Sequence, residues 1–247
     1  MKCSDDPSVC PTEKNKADIQ QLGLWTEGAA GEFDLEIKEI YADQIADLYD
    51  ESQHTSLVTF DDADATTFDW DLVNDPVMGG LSNSTMTIHD NTLFWEGSVE
   101  IVPSLSAPGF CNLKSHKSFD KFNDATGATH MFIRAVSHKP YDGLKFSFAA
   151  DTLNPQFKCF KADFVMEHTG EEELIAIPLT EFSNEWSAST GEPTTKCSDN
   201  EKVCPTQKNL ADIQQVGLWM EGSEGAFSLE IKEVWAGVPE AVEAEVN

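Results

Sequence analysis

One 41-residue segment occurs twice in this chain. Residues 2–42 (KCSDDPSVCPTEKNKADIQQLGLWTEGAAGEFDLEIKEIYA) reappear at 196–236 (KCSDNEKVCPTQKNLADIQQVGLWMEGSEGAFSLEIKEVWA), without a gap and with about two thirds of the positions identical. Self-similarity at a fixed period marks a repeat architecture, and an offset of 194 residues is the length of a domain rather than of a solenoid unit. The chain therefore reads as pieces in series. Residues 1–42 are the C-terminal part of a preceding repeat of the same domain, and 43–56 are an acidic linker. Residues 57–237 are one complete domain, and 238–247 are an acidic tail or further linker. Both copies carry the same strand pattern and can fill the same slot in a sheet. An orphan copy exposes unpaired strand edges, so self-association through residues 2–42 is expected.

From residue 57 onward the pattern is that of strands. Apolar or alternating runs occur at 57–60, 86–89, 93–102, 130–136, 144–149, 157–166 and 173–177, and the repeated pair 213–220 and 227–235 closes the domain. Gly, Pro, Asn and Asp cluster between them, which is turn chemistry. In FSLEIKEVW, the residues Phe227, Leu229, Ile231 and Val234 are expected inward, with Glu230 and Lys232 outward. A short helical turn fits near 179–182. About nine strands without a long amphipathic helix predict an all-β, antiparallel sandwich.

The six cysteines follow the repeat. Cys3 and Cys10 in one copy have the same spacing as Cys197 and Cys204 in the other, and each pair encloses a polar loop suited to a local disulfide. Cys111 and Cys159 are then left to pair across the sandwich. Closing a short loop contributes about 2–3 kcal/mol. A zinc site would want closer paired spacings and a four-ligand cluster, and reduced structural thiols are the remaining alternative. Disulfides imply an oxidising, secreted or lumenal compartment.

Charge removes several partners. Acidic residues number 44 against 16 Lys plus Arg, a formal net charge of -28. That field repels phosphate backbones and anionic lipid, so neither nucleic acid nor a membrane surface is an expected partner. No apolar run reaches the roughly 18–20 residues of a spanning helix, so no membrane insertion is expected. No apolar h-region follows Met1, so the start does not read as a signal peptide. The six histidines (54, 89, 116, 130, 138 and 168) are scattered, with no nucleophile elbow, zinc-protease helix, P-loop or dinucleotide fingerprint. No catalytic residue is assigned, and the expectation is a binding protein rather than an enzyme.

The most distinctive stretch runs Phe68-Asp69-Trp70 and then Asn74-Asp75-Pro76-Val77-Met78-Gly79-Gly80-Leu81-Ser82. Phe60-Asp61-Asp62 precedes it. Phe94-Trp95-Glu96-Gly97, Gly109-Phe110, Ile177-Pro178 with Phe182, and Gly225-Ala226-Phe227-Ser228-Leu229-Glu230-Ile231 follow in order. This ordered set resembles the NADH:ubiquinone oxidoreductase complex I intermediate-associated protein 30 family across about residues 57–237. The resemblance implies a galactose-binding-domain-like jelly roll that acts by binding, as an assembly factor or chaperone for respiratory complex I. Relatives occur in plastids and algae, which extends the expectation to a photosynthetic complex and to mitochondrial or plastid placement. Folds of this type also include carbohydrate-binding modules, so a module of an extracellular adhesive or matrix protein is a further expectation. The cysteine pairs, the acidity and the tandem repeat (as in algal-type members) depart from the mitochondrial pattern and favour a secreted or lumenal protein that binds protein or glycan.

Three candidate sites follow. Asn74, Asp75, Met78, Gly79, Gly80 and Ser82 could rim a ligand, because paired glycines allow positive φ and close backbone approach. They equally suit a tight turn in which Asn74 and Asp75 cap backbone amides. No cofactor is expected, apart from a structural calcium for which Asp61, Asp62 and Glu233 offer oxygen donors. Trp95, Trp186, Trp219 and Trp235 could include a sugar-stacking platform. An exposed Trp-lined trough would favour glycan, and a flat apolar patch a protein partner.

Overall fold

The computed structural model describes residues 54–62, 66–75, 79–116, 122–150, 159–187 and 190–239, all within the unit Asp43–Asn247. The readings made for residues 2–42, the linker before His54, Met78, the Cys3/Cys10 pair and the tail beyond residue 239 lie outside the described residues.

Thirteen strands are described: β1 (Thr55–Val58), β2 (Trp70–Asn74), β3 (Asn83–His89), β4 (Thr92–Val99), β5 (Ile101–Val102), β6 (Ala107–Pro108), β7 (Phe110–Ser115), β8 (His130–Ser137), β9 (Leu144–Ala150), β10 (Phe160–Asp163), β11 (Glu172–Pro178), β12 (Ile213–Glu221) and β13 (Gly225–Gly237). A six-stranded sheet has the order β11-β8-β13-β4-β3 with β1 paired to β13, and a five-stranded sheet has the order β10-β9-β12-β7-β2. Every ladder is antiparallel, and the chain crosses repeatedly between sheets, so the fold is an antiparallel jelly-roll sandwich. A 3-10 turn at Leu179–Glu181 takes the place expected for a helical turn. The described α-helix, α1 (Gln207–Leu210), is one turn started by a Thr206–Asn209 capping box. No helix among the described residues is long and apolar enough to cross a membrane.

Alternation explains the core. On β13, Phe227, Leu229 and Ile231 are buried between the sheets while Glu230 and Lys232 face out. The register shifts between Ile231 and Glu233, so Val234 returns to the inner face beside Ile133. Trp95 meets Phe227 edge to face at 4.9 Å, and Phe182 packs against Phe146 and Phe148 from the other sheet. Burying each such ring contributes about 1.5–3 kcal/mol.

Cys197 and Cys204 are joined, with Cα atoms 4.9 Å apart. The expected Cys111–Cys159 bond is a correction: both thiols are free. Cys111 lies on β7 and Cys159 abuts β10, three strand positions away in the same sheet. Steps of about 4.8 Å put them roughly 14 Å apart, against a disulfide limit of about 7 Å between Cα atoms. Burial holds both thiols protonated, pushing Cys111 up to about 12 and Cys159 above the usual thiol value. Disulfide mapping is expected to find Cys197 linked to Cys204, with Cys111 and Cys159 alkylated only after unfolding. Reducing the bond should lower stability by about 2–3 kcal/mol in urea titrations. A mapped Cys111–Cys159 bond would overturn the strand order itself.

Candidate functional site: the outer face of the five-stranded sheet

The glycine turn is a structural pin. Asp75 is 2% exposed and Ser82 fully buried. The Asp75 carboxylate accepts from Ser82 N–H (2.9 Å), Ser82 Oγ–H (2.7 Å) and Phe110 N–H (3.3 Å). Ser82 Oγ in turn accepts from Glu100 N–H at 3.0 Å, and Asn74 Oδ1 accepts from Ser84 Oγ–H at 2.9 Å. A Cβ on Gly80 would stand 2.1 Å from the Asp75 carboxyl carbon, and one on Gly109 would stand 1.5 Å from its oxygen. These glycines are there because the carboxylate occupies their side-chain space. Of the six expected rim residues, Asp75 and Ser82 therefore turn inward, Asn74 is engaged by Ser84, and Gly79 supplies a left-handed turn with φ 84.

The proposed calcium donors are not gathered. Asp61 accepts from Thr59 Oγ–H at 2.7 Å, Glu233 lies 3.0 Å from His54 Nε2, and Asp62 is exposed. Among the described residues no three His, Cys, Asp or Glu side chains are arranged to hold a metal.

Two complete rows of side chains cross the outer face of the five-stranded sheet. One is Asp163–Lys145–Trp219–Asn112–Val73, and the next is Lys161–Ser147–Gly217–Lys114–Asp71. The Trp219 indole N–H donates to Ser147 Oγ at 2.9 Å, in the neighbouring row. Trp186, on the loop following Phe182, donates its indole N–H to the Cys159 carbonyl at 3.1 Å. Hydrogen bonds from Ser183 Oγ to the Thr195 carbonyl, and from Thr194 N–H to the Glu185 carbonyl, close that loop. Trp186 and Trp219 lie 6.2 Å apart, and Trp219 and Phe110 5.8 Å. All three rings are half-buried, forming a contiguous aromatic row with Lys114 beside it, while Asn112 is buried under the row and donates its amide N–H to the Leu218 carbonyl at 3.0 Å.

Lys161 organises this row. Its ammonium sits 3.8 Å from the Trp186 ring and 3.9 Å from the Trp219 ring, a two-sided cation–π contact, and it is ion-paired to Glu221. The Lys161 side chain is 1% exposed. Lys145 is likewise buried and bonds Asp163 and Glu192. Burial alone would push Lys145 down, but those two carboxylates carry it above the usual lysine value.

Of the four tryptophans expected as a possible platform, Trp186 and Trp219 are brought together, while Trp95 and Trp235 are fully buried. Lys161, Phe110 and Asn112 were not foreseen. The duplicated segment held one signal for the face. On β12 the outward residues Gln215, Gly217, Trp219 and Glu221 all recur unchanged as Gln21, Gly23, Trp25 and Glu27, whereas of the inward Val216, Leu218 and Met220 only Leu218 is kept, the others standing as Leu22 and Thr26.

The family profile described as Complex I intermediate-associated protein 30 matches residues 58–231. No curated protein sequence matches the chain. In fold, the chain is similar to a family 11 carbohydrate-binding module from Clostridium thermocellum in complex with a beta-1,3-1,4-mixed-linked tetrasaccharide. The TM-score is 0.51 at 9% identity, covering 76% of this chain and 99% of that one. A family 11 carbohydrate-binding module of a cellulosomal cellulase from the same organism gives a TM-score of 0.50 at 8% identity, covering 74% and 95%. At such identity the likeness is one of fold.

Proposed function

We propose, from the premise that this chain belongs to the complex I intermediate-associated protein 30 family, that it is a non-catalytic binding module that takes a neutral glycan chain on the outer face of its five-stranded sheet. The observation that carries this reading is the half-buried row Trp186–Trp219–Phe110, flanked by the Lys114 ammonium. Sugar rings present C–H faces that stack on aromatic rings, and their hydroxyls pair with amides and charged groups beside the stack. The strong negative charge disfavours sulfated or uronate polymers and leaves neutral ones. The Cys197–Cys204 bond fits an oxidising, secreted or lumenal setting.

Affinity electrophoresis of the full chain through soluble neutral polysaccharides, starting with mixed-linked β-1,3-1,4-glucan, tests the reading. Retardation is expected, and Trp219→Ala should weaken it by about tenfold or more, since each stacked aromatic contributes of the order of 1–2 kcal/mol. Trp186→Ala should act in the same direction with a smaller effect on melting, because Trp186 lies on a loop. Unretarded migration through glucans, galactans, mannans and xylans alike would overturn the glycan assignment.

A second reading, an assembly factor for a respiratory or photosynthetic complex, rests on a different observation. Leu81 and Leu105 are 59% and 65% exposed, on loops that flank the Asp75 pin. Exposed leucines at a rigid loop end suit a protein partner. Failure of every glycan, together with co-purification of complex I intermediates that is lost in a Leu81→Ser/Leu105→Ser variant, would move the assignment there.

A further inference from the structure

The opposite side of the sandwich carries a concavity, on strands β3, β4 and β13, of about 240 Å³. Strand register aligns Thr85, Glu96 and Ser228 in one row and Thr87, Phe94 and Glu230 in the next. His89 stacks on Phe94 with centroids 4.1 Å apart and planes 8° from parallel, walling one end. Glu230 is engaged by His138 at 2.6 Å. The Glu96 carboxylate and the Thr85, Thr87 and Ser228 hydroxyls make no side-chain hydrogen bond or ion pair among the described residues. A carboxylate between two hydroxyls, backed by an aromatic ring, is thus left open on a sheet face.

We propose that this concavity is a second carbohydrate site, sized for one neutral pyranose ring. Vicinal sugar hydroxyls donate into the two oxygens of Glu96, Thr85 and Ser228 donate to or accept from the neighbouring hydroxyls, and the C–H face of the ring lies against the His89–Phe94 stack. The lone carboxylate in a chain of net charge -28 repels anionic sugars. The volume is below the roughly 300–1,000 Å³ of larger ligand pockets, which suits one ring rather than a chain of several. The two outer faces of a sandwich point in opposite directions, so a chain with a site on each bridges two glycan strands and gains avidity from both.

The test is an NMR titration of the full chain with the methyl β-glycosides of glucose, galactose, mannose and xylose, and separately with calcium and ammonium ions. The signals of His89, Phe94 and Thr85 are expected to shift with at least one of the sugars. Glu96→Gln should weaken that response by about tenfold, Thr85→Val should weaken it too, and Trp219→Ala should leave it intact. Glu96 and Thr85 are exposed, so folding is not at stake in those two variants. The Trp186 and Trp219 indole signals report the first face separately, so failure of either site is seen without the other. Absence of any shift at His89 and Phe94 with all four sugars, or shifts with the cations alone, would overturn the proposal.

Discussion

Replacing Asp75 with alanine is expected to lower the unfolding free energy by about 3–5 kcal/mol, one of the two largest effects predicted for this fold. The carboxylate accepts three hydrogen bonds in a site that is 2% exposed, and a hydrogen bond to a charged acceptor contributes about 1.5–3 kcal/mol. The three do not add, because they share one group. Removing the acceptor also leaves the Ser82 and Phe110 amides buried without it, which is where the cost concentrates. Asp75→Asn should cost less, since one oxygen remains to accept while the new amide faces donors. Gly109→Ala approaches the same damage from the other side, because its Cβ would stand 1.5 Å from the Asp75 oxygen and push it off its partners. Urea titration followed by tryptophan fluorescence measures all three. A loss below about 1 kcal/mol for Asp75→Ala, the range of ordinary substitutions, would mean that the turn is not held by this carboxylate and would reopen it as a ligand rim.

That pin shows what the sequence could and could not say. The Met-Gly-Gly-x-Ser stretch was legible as special, and so was the alternative that Asp75 caps amides. What could not be read was that Gly109, on a separate loop, is a glycine for the same reason as Gly80. Both surround one side chain, and only the folded chain places it between them. Strand periodicity found most of the sandwich because outward and inward residues alternate on β11, β12 and β13. It missed β2, the two-residue β6, and β7. On β7 the inward set is Cys111, Leu113 and Ser115, so an alternation of apolar with polar residues does not show. The run 157–166 reads as one strand, whereas the strand among its described residues is Phe160–Asp163. The Cys111–Cys159 expectation failed for a related reason. It counted cysteines by elimination, whereas bonding depends on which strands are neighbours. On the outer face, Trp186 and Trp219 were named as possible platform residues, but Lys161 was not, because a lysine between Phe160 and Ala162 has the same pattern as any solvated strand position. Nothing local marks Lys161 as the residue buried between two indoles.

Replacing Lys161 with methionine is expected to cost about 3–5 kcal/mol, the typical result of removing one member of a buried ion pair, although methionine nearly preserves the volume. The reason is Glu221, which is 8% exposed in its side chain and has Lys161 as its partner. With the ammonium gone, the carboxylate is left charged in a site walled by Trp186, Trp219 and Gly191, whose absent side chain makes room for it. The double variant Lys161→Met/Glu221→Leu separates the causes. Removing both charges should recover most of the lost stability, because the desolvation cost disappears with the pair. It should not recover glycan retardation, because the two cation–π contacts that space the indoles are still missing. Lys161 is in that sense a positioning residue, acting on ligand through Trp186 and Trp219. Thermal melting and affinity electrophoresis on the three variants read the two effects apart. Full return of retardation with the double variant would show that the rings hold their spacing without the lysine and that its part is structural alone. A single variant as stable as the parent would instead show that Glu221 is neutral or solvated in the native chain, contrary to its burial.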